Sequence, residues 1–362
     1  MIRERLEAFG KYTRDLALRH ERRALAGALI VGALWDYVTL TDPRSLYGNT
    51  VIVAYLSIIA GVILILNRRK AAGQEERVYL LVLMQFCFGN LASGLLILYS
   101  QSGTLAGSWL FFASLLAFLI GNEFLRGRYS RVYLQLAALT GFLFAYLALI
   151  APVLLNRIDV VPFLISSALV AILMAGFVAL LYRVAAEPLK ARARQSVVAV
   201  GAVFLFFNAL YFLNLIPPVP LALKDIGVYH SVTRTGDGYV SLSEEARWYD
   251  VLRRLGLIFT YTKGERAYCF SSIYAPVKLS APIYHKWEHF DVGRGVWDME
   301  LRILFPISGG REEGYRGYSA KQIDKEGFWR CTAQTQRGAT VGSKLFYAKE
   351  AKERPRLVEV TK

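Results

Sequence analysis

The chain has 362 residues, 55% hydrophobic and 20% charged, with three cysteines and a formal net charge of +15. That balance, with positive mean hydropathy, fits a polytopic membrane protein carrying a sizeable polar domain. Most of the basic excess sits in short loops between apolar runs, which excludes a nucleic-acid partner, and three scattered cysteines exclude a cysteine metal cluster.

Residues 1–23 form a charged amphipathic segment ending in Arg22 and Arg23. It lacks the short basic start and small-residue cleavage site of a secretory signal, so the first apolar run is expected to be retained. Apolar runs at about 24–40, 51–66, 78–100, 105–125, 132–155, 160–182 and 197–216 predict a transmembrane domain of seven helices over 24–216. The stretch Gln85 to Glu123 is expected to be the centre of that bundle, an antiparallel hairpin turning near Ser102. Gln85, Gly89 and Ser93 share one helix face, with Asn90 beside them. Small residues let helices approach closely, and the Gln85 and Asn90 amides are expected to face protein and find partners on a neighbouring helix.

Basic residues set the orientation. The N-terminal segment holds seven (Arg3, Arg5, Lys11, Arg14, Arg19, Arg22, Arg23), and loops 67–77, 126–131 and 183–195 add four, three and four. The alternate connections hold only Arg44 and Arg157. Eighteen against two predicts a cytoplasmic N-terminus, and seven spans then put the C-terminal domain outside the inner membrane.

Residues 217–226 form a Pro-rich linker, in which Pro217, Pro218 and Pro220 end the last helix. In 227–362 the texture becomes that of a small α+β or all-β domain. Ser243, Glu244 and Glu245 open a predicted amphipathic helix to about Leu255, with Arg253 and Arg254 near its end. From Leu257 the period is two. Trp297, Met299, Leu301 and Ile303 alternate with polar residues, as do Trp329, Cys331 and Ala333. Gly338 then breaks the run before another strand over Val341 to Tyr347. This pattern predicts an antiparallel β-sandwich.

The runs YHKWEHFD, GGREEGYRGYSAK and GFWRCTAQTQRGATVGSKLF, with the membrane segments WDYVTLTDPRSLYGNT, QFCFGNLASGLLILYSQSG and IPPVPLALK, resemble the bacterial family called domain of unknown function 2914. The resemblance implies an inner-membrane protein with a terminal β-domain and no assigned reaction. The family pattern carries valine where this chain has Cys331. Cys269 and Cys331 are therefore expected to be two buried thiols rather than a bridge.

Several groups invite a chemical reading. His285 to His289 matches H-x-x-E-H, a zinc-protease pattern that needs a helix. After Pro282 and among strand-like sequence, residues four apart sit about 13 Å apart, too far for one zinc, so no metal is expected. Cys87 and Ser93 lie in a predicted span, but a nucleophile needs a base in reach, and His20, His230, His285 and His289 all lie outside the spans. No catalytic residue and no cofactor is assigned.

Asp36, Glu123 and Asp159 lie in or near spans, where charge is costly; the first two stand near helix ends and interfacial water. Arg311, Tyr315, Arg316 and Tyr318 form the expected recognition patch, since guanidinium forks suit carboxylate or phosphate and tyrosine faces suit sugars or cations. Alternation should send Tyr315 and Arg316 to opposite faces.

The leading expectation is a non-enzymatic protein of the bilayer whose periplasmic β-domain binds an envelope component, a membrane or envelope protein, or a lipid-linked glycan. The alternative is a transporter or enzyme acting on a lipid-linked substrate. It would use an outer-leaflet pocket around Asp36, Asp42, Arg44, Gln101 and Trp109, with Gln85, Asn90 and Glu123 deeper in the bundle.

Overall fold

The computed structural model describes residues 43–362 except 76, 103–106, 125–130, 237, 247–248, 276–279 and 309–314. The chain divides into two compact units: Met1–Leu98 with Leu115–Leu143 and Met174–Gly201, and Tyr99–Ser114 with Phe144–Leu173 and Ala202–Lys362.

The helices are α1 (Leu46–Ala71), α2 (Val78–Ser100), α3 (Trp109–Phe124), α4 (Val132–Leu155), α5 (Val160–Val184), the short α6 (Ala186–Lys190) and α7 (Ala193–Phe212). Five of them (α1, α2, α4, α5 and α7) are long and apolar enough to cross a membrane. With the shorter α3, they cover six of the seven predicted runs; the run at 24–40 lies outside the described residues. α1 starts at Leu46, earlier than its apolar run, because the Ser45 side chain accepts from the Gly48 N–H at 3.2 Å and caps it. Arg68, Arg69 and Lys70 fill its last turn, where the helix dipole favours cations.

α2 and α4 are the helices most enclosed by protein, each with 61% of its apolar window buried against 33% for α1. The expected hairpin is present: Phe88 meets Phe118 in the first unit, and Tyr99 meets Phe111 in the second. Its centre is shared, however, because α2 packs equally on α4 through Phe88 and Phe142, stacked at 5.4 Å, and through Tyr99, whose hydroxyl donates to the Ala145 carbonyl at 2.8 Å.

After Pro220 the chain is β-rich: β1 (Ala222–Tyr229), β2 (Ser231–Thr235), β3 (Gly238–Glu244), a one-turn α8 (Val251–Arg254), β4 (Ile258–Tyr261), β5 (Arg266–Tyr274), β6 (Ser280–Asp291), β7 (Val296–Ser308), β8 (Tyr315–Gln322), β9 (Gly327–Thr335), β10 (Thr340–Glu350) and β11 (Leu357–Thr361). They form three sheets with orders β1-β5-β8, β4-β10-β9-β6-β7 and β11-β3-β2. Of the pairings, only β4 with β10 is parallel among the described residues. The main core draws on the first two sheets: Cys269, Trp287, Trp329, Cys331 and Phe346 are buried together.

Three expectations are corrected here. The helix predicted from Ser243 is strand through Glu244, paired residue by residue with β11. Its acids are not a first helical turn; Glu244 points into a buried polar cluster, and among the described residues of this stretch only Val251–Arg254, capped by Asp250, turns as helix. In β7 the ladder slips between Leu301, opposite Trp287, and Met299, opposite Glu288, leaving Glu300 as a bulge. The bulge reverses the alternation, so Trp297 and Met299 take the outer face while Leu301 packs on the core. Last, Cys269 and Cys331 are bridged, with sulfurs 2.09 Å apart. β5 and β9 lie in different sheets and direct both residues into one core, which brings the sulfurs together although 62 positions separate them.

Candidate functional site

The register of β1, β5 and β8 places Asp225, Ser272 and Arg316 in one row and Gly227, Phe270 and Tyr318 in the next. Alternation puts both rows on the same face of this sheet. The ladder of β1 shifts between Leu223 and Asp225, and this irregularity turns Lys224 onto the face that Asp225 already occupies. Lys362, just past β11, completes the group. Its ammonium lies 2.6 Å from Asp225 Oδ2, and its backbone carbonyl accepts from Arg316 Nη1 at 3.2 Å. A side chain on Gly238 would stand 2.8 Å from that carbonyl and 3.3 Å from Arg316 Nη1, so glycine is what lets β3 close against the group.

The result is an open notch of about 360 Å³ lined by Lys224, Asp225, Phe270, Ser272, Arg316 and Lys362. Among the described lining residues, three are basic and one is acidic. Burial works against the Lys362 ammonium, but hydrogen bonds to Asp225 and Tyr229 outweigh it and hold its pKa above the ordinary range. Tyr318, 41% exposed, stands at the rim beside Phe270.

Of the expected recognition patch, Arg316 lines this notch and Tyr318 borders it. Tyr315 is on the opposite face, packed with Ile273 and Leu221, so the two neighbours part as alternation requires. Arg311 lies outside the described residues. Gly317 between them is needed for packing, because a side chain there would stand 2.6 Å from the Phe305 ring. Sequence reading missed Lys224, Asp225, Ser272 and Lys362. No local signal marks them, since only strand register assembles them.

Two further polar clusters are buried. His285, fully buried on β6, holds Ser271 Oγ at 2.8 Å through Nε2 and Ser319 Oγ at 2.9 Å through Nδ1, and Ser319 also accepts from the Trp287 indole at 3.0 Å. Burial pushes the His285 pKa down to about 3, so the ring is neutral at physiological pH. A hydroxyl beside an imidazole is the pairing that activates a nucleophile. Here Ser271 and His285 are 0% exposed, which shuts any substrate out.

His285 also lies near the sulfurs of Cys269 and Cys331. Those sulfurs are joined to each other and both ring nitrogens engage serines, so the set does not fit a metal. His289, four residues on, meets the Glu326 carbonyl instead, and β6 is the strand that the sequence pattern required.

In the second cluster, His230 lies between two carboxylates, with Nδ1 2.9 Å from Glu265 and Nε2 3.4 Å from Glu244. Glu244 also accepts from the Arg253 guanidinium and the Thr260 N–H. Burial alone would raise the Glu265 carboxyl; hydrogen bonds from His230 and from the Thr262 N–H and hydroxyl outweigh it and hold the pKa below the ordinary value. The carboxylates sit on opposite edges of the ring, an arrangement that ties strands together and leaves no common point for an ion.

Among the polar residues expected in the spans, Gln85 and Ser93 are buried on the predicted face of α2. Asn90 is half-buried, and its amide donates to the Phe86 carbonyl at 2.8 Å. The expected neighbouring helix is not required, because a carbonyl one turn back accepts from it. The amide pair that does cross between helices was not anticipated: Asn67 of α1 donates to Gln135 of α4 at 2.8 Å in a buried setting. Asp159 caps α5 by accepting from the Val161 N–H at 3.0 Å. Arg44 is half-buried, Gln101 exposed and Trp109 61% exposed. Asp36 and Asp42 lie outside the described residues, as does the side chain of Glu123.

No curated protein matches the chain. Among solved structures, an immunoglobulin-like protein from Pseudomonas aeruginosa is similar at 8% identity and a TM-score of 0.20, over 35% of this chain and 98% of that one. The alkylpurine DNA glycosylase of Pseudomonas fluorescens, bound to DNA containing an abasic site analog, is similar at 10% identity and a TM-score of 0.22, over 84% of this chain and 99% of that one. Both likenesses are distant. Residues 280–347, from the start of β6 into β10, match the family described as Protein of unknown function (DUF2914). The C-terminal region of this chain therefore carries the domain that its YHKWEHFD and GYRGYS runs resemble.

Proposed function

We propose that this chain is a seven-helix protein of the bacterial inner membrane with a cytoplasmic N-terminus. Its β-rich part is a periplasmic sandwich that binds an envelope component or a partner protein and catalyses no reaction. Five helices of membrane-spanning length support the anchor, and eighteen basic residues against two in alternate connections support the orientation. The observation that carries the binding role is the open basic notch between Lys224, Arg316 and Lys362. The hydroxyl–imidazole pairs of the same domain are buried and give a substrate no entry.

Two experiments test the reading. Reporter fusions after Leu223 should be active only when the reporter works outside the cytoplasm; cytoplasmic activity refutes the topology. Crosslinking in native membranes, followed by purification and mass spectrometry of bound protein, lipid and glycan, should recover a partner that Lys224→Glu diminishes. Equal recovery with the variant removes the notch from the binding role.

A further inference from the structure

We infer that a membrane phospholipid binds at the end of α7, with its phosphate held by Arg337 and its acyl chains lying along the exposed ends of α4 and α7. The site is separate from the notch, and all of its residues belong to the second compact unit. The inference rests on the reading of the long apolar helices as membrane spans, and not on their orientation. Three lines of geometry lead to it.

The first is how Arg337 is held. β9 and β10 are joined by a tight turn in which the Thr335 N–H donates to the Ala339 carbonyl at 2.9 Å and the Gly338 N–H to the Thr335 carbonyl at 3.0 Å. Gly338 takes φ +94°, a conformation open to glycine, and the turn leaves Arg337 at its tip. The guanidinium lies 4.1 Å from the centre of the Tyr211 ring, whose other face stacks on buried Phe163 at 3.6 Å. The Tyr211 hydroxyl donates to the Asp159 carbonyl at 3.0 Å and ties the ring to the residue that caps α5. A guanidinium lying flat on a ring keeps N–H groups at its edge for the oxygens of a phosphate.

The second is charge. Among the described residues, Arg337 enters no ion pair; it engages the Tyr211 and Phe212 rings and the Tyr211 hydroxyl, all of them neutral. A guanidinium carries five N–H donors, more than one hydroxyl can use. Asp159 is the one carboxylate among the described residues that line the pocket. It is already engaged, accepting from Arg157 Nε at 3.0 Å and from the Val161 N–H at 3.0 Å. Two guanidinium groups therefore stand against one carboxylate, and the excess positive charge is at Arg337.

The third is the setting. The pocket holds about 60 Å³, room for about four to six water-sized groups, which admits a phosphate and shuts out an acyl chain. Asn214 lines it too; with φ +58° it ends α7 as a left-handed cap and adds an amide donor to the site. Beside it, Leu154 and Leu155 of α4 and Phe212 and Leu213 at the end of α7 are exposed. A cation with apolar helix surface next to it matches a headgroup phosphate and the chains it carries. A free anion would use Arg337 and leave that apolar surface bare.

Native mass spectrometry on the full chain in detergent tests the inference. The chain is titrated with dioctanoyl phosphatidylglycerol, with dioctanoylglycerol (the same tails without phosphate) and with glycerol 3-phosphate (the phosphate without tails). The phospholipid should bind more tightly than either control. Its affinity should fall about tenfold in Arg337→Gln, as expected for loss of one charged hydrogen bond, while that of dioctanoylglycerol stays the same. Arg337 is half-buried at a turn tip, so the variant should melt like the parent; if it melts early, Arg337→Lys, which keeps the charge and loses the fork, should still bind the phospholipid more weakly than the parent. The inference is overturned if dioctanoylglycerol binds as tightly as the phospholipid, if glycerol 3-phosphate does so, or if the Arg337 variant that folds binds as the parent does. Carbonate extraction of cell membranes separates this from failure of the reading beneath it. A chain released by carbonate refutes the spans, whereas a chain retained in the membrane without preference for the phospholipid overturns the lipid site alone.

Discussion

Polar side chains are satisfied by opposite means in the helical and β-rich parts of this chain. In the helices, beside a few crossing contacts such as those of Asn67 and Tyr99, many turn back on their own backbone: Thr50 to Leu46, Ser57 to Val53, Asn90 to Phe86, Thr140 to Leu136 and Asn208 to Phe204, each four residues away. In the β-rich part they reach across the chain: His285 to Ser319, 34 residues on, His230 to Glu265, 35 on, and Arg330 to Glu288, 42 back. A helix in an apolar surrounding can place a polar residue anywhere its own carbonyl accepts, so little specificity follows from any one of them. A buried group in the β-rich part depends on several strands at once, and removing one member strands the others.

The difference predicts a graded set of outcomes. The largest follows from opening the Cys269–Cys331 bridge, which closes a long loop between two sheets. Replacing both cysteines by alanine should destabilise the β-rich part by about 4 kcal/mol, read as an early tryptophan fluorescence transition on heating. Glu244→Ala comes next. It leaves His230, the Arg253 guanidinium and the Thr260 N–H without their shared acceptor, at a cost of about 3 kcal/mol in the same assay. A drop near zero would mean that water replaces the carboxylate and that the cluster is not interlocked.

Acid should act on the β-rich part through two groups. The folded state keeps His285 neutral down to about 3 whereas the unfolded chain protonates it near 6.5, so stability is full above 6.5 and is lost as pH falls through that window. By pH 5 the loss should reach about 2 kcal/mol. Glu265, held below its ordinary value of 4.5, adds a further loss only under that pH. Urea melts from pH 7.5 to 4 should show the slope in wild type and a flatter one in His285→Gln; equal slopes would remove His285 as the cause.

The smallest effects belong to the helices. Asn67→Leu breaks the amide contact to Gln135 and should cost about 1 kcal/mol, while Asn90→Ala should cost under about 0.5 kcal/mol. Unfolding in detergent that ranked Asn90 above Asn67 would contradict the contrast between local and crossing contacts.

The same contrast explains what could be read ahead of the structure. The placement of the described apolar helices was legible because apolar length is a local property. The strand character of β6 and β9 was legible too: Pro282 and a period of two decide them, and Trp329, Cys331 and Ala333 are buried as alternation requires. The bulge at Glu300 was not legible, because it is a slip between two strands, and it turned Trp297 and Met299 outward. Ser243 to Glu245 reads as a helix start by composition alone, until pairing with β11 makes it a strand end. Arg316 and Tyr318 stood out as residue types. Their companions Lys224, Ser272 and Lys362 come from three separate segments, and only the ladder β1-β5-β8 with β11 beside it brings them together.

The claim on which the account turns is that the β-rich part lies on the oxidising side of the membrane with its core closed by a disulfide. Counting thiols tests it most directly. Cells are quenched in acid, denatured, and treated with a maleimide that adds a visible mass to each free thiol, with and without prior reduction. Of the three cysteines, Cys87 is free and buried in α2, so the account predicts one added mass without reduction and three with it. Three added masses without reduction would contradict both the bridge and the extracytoplasmic placement.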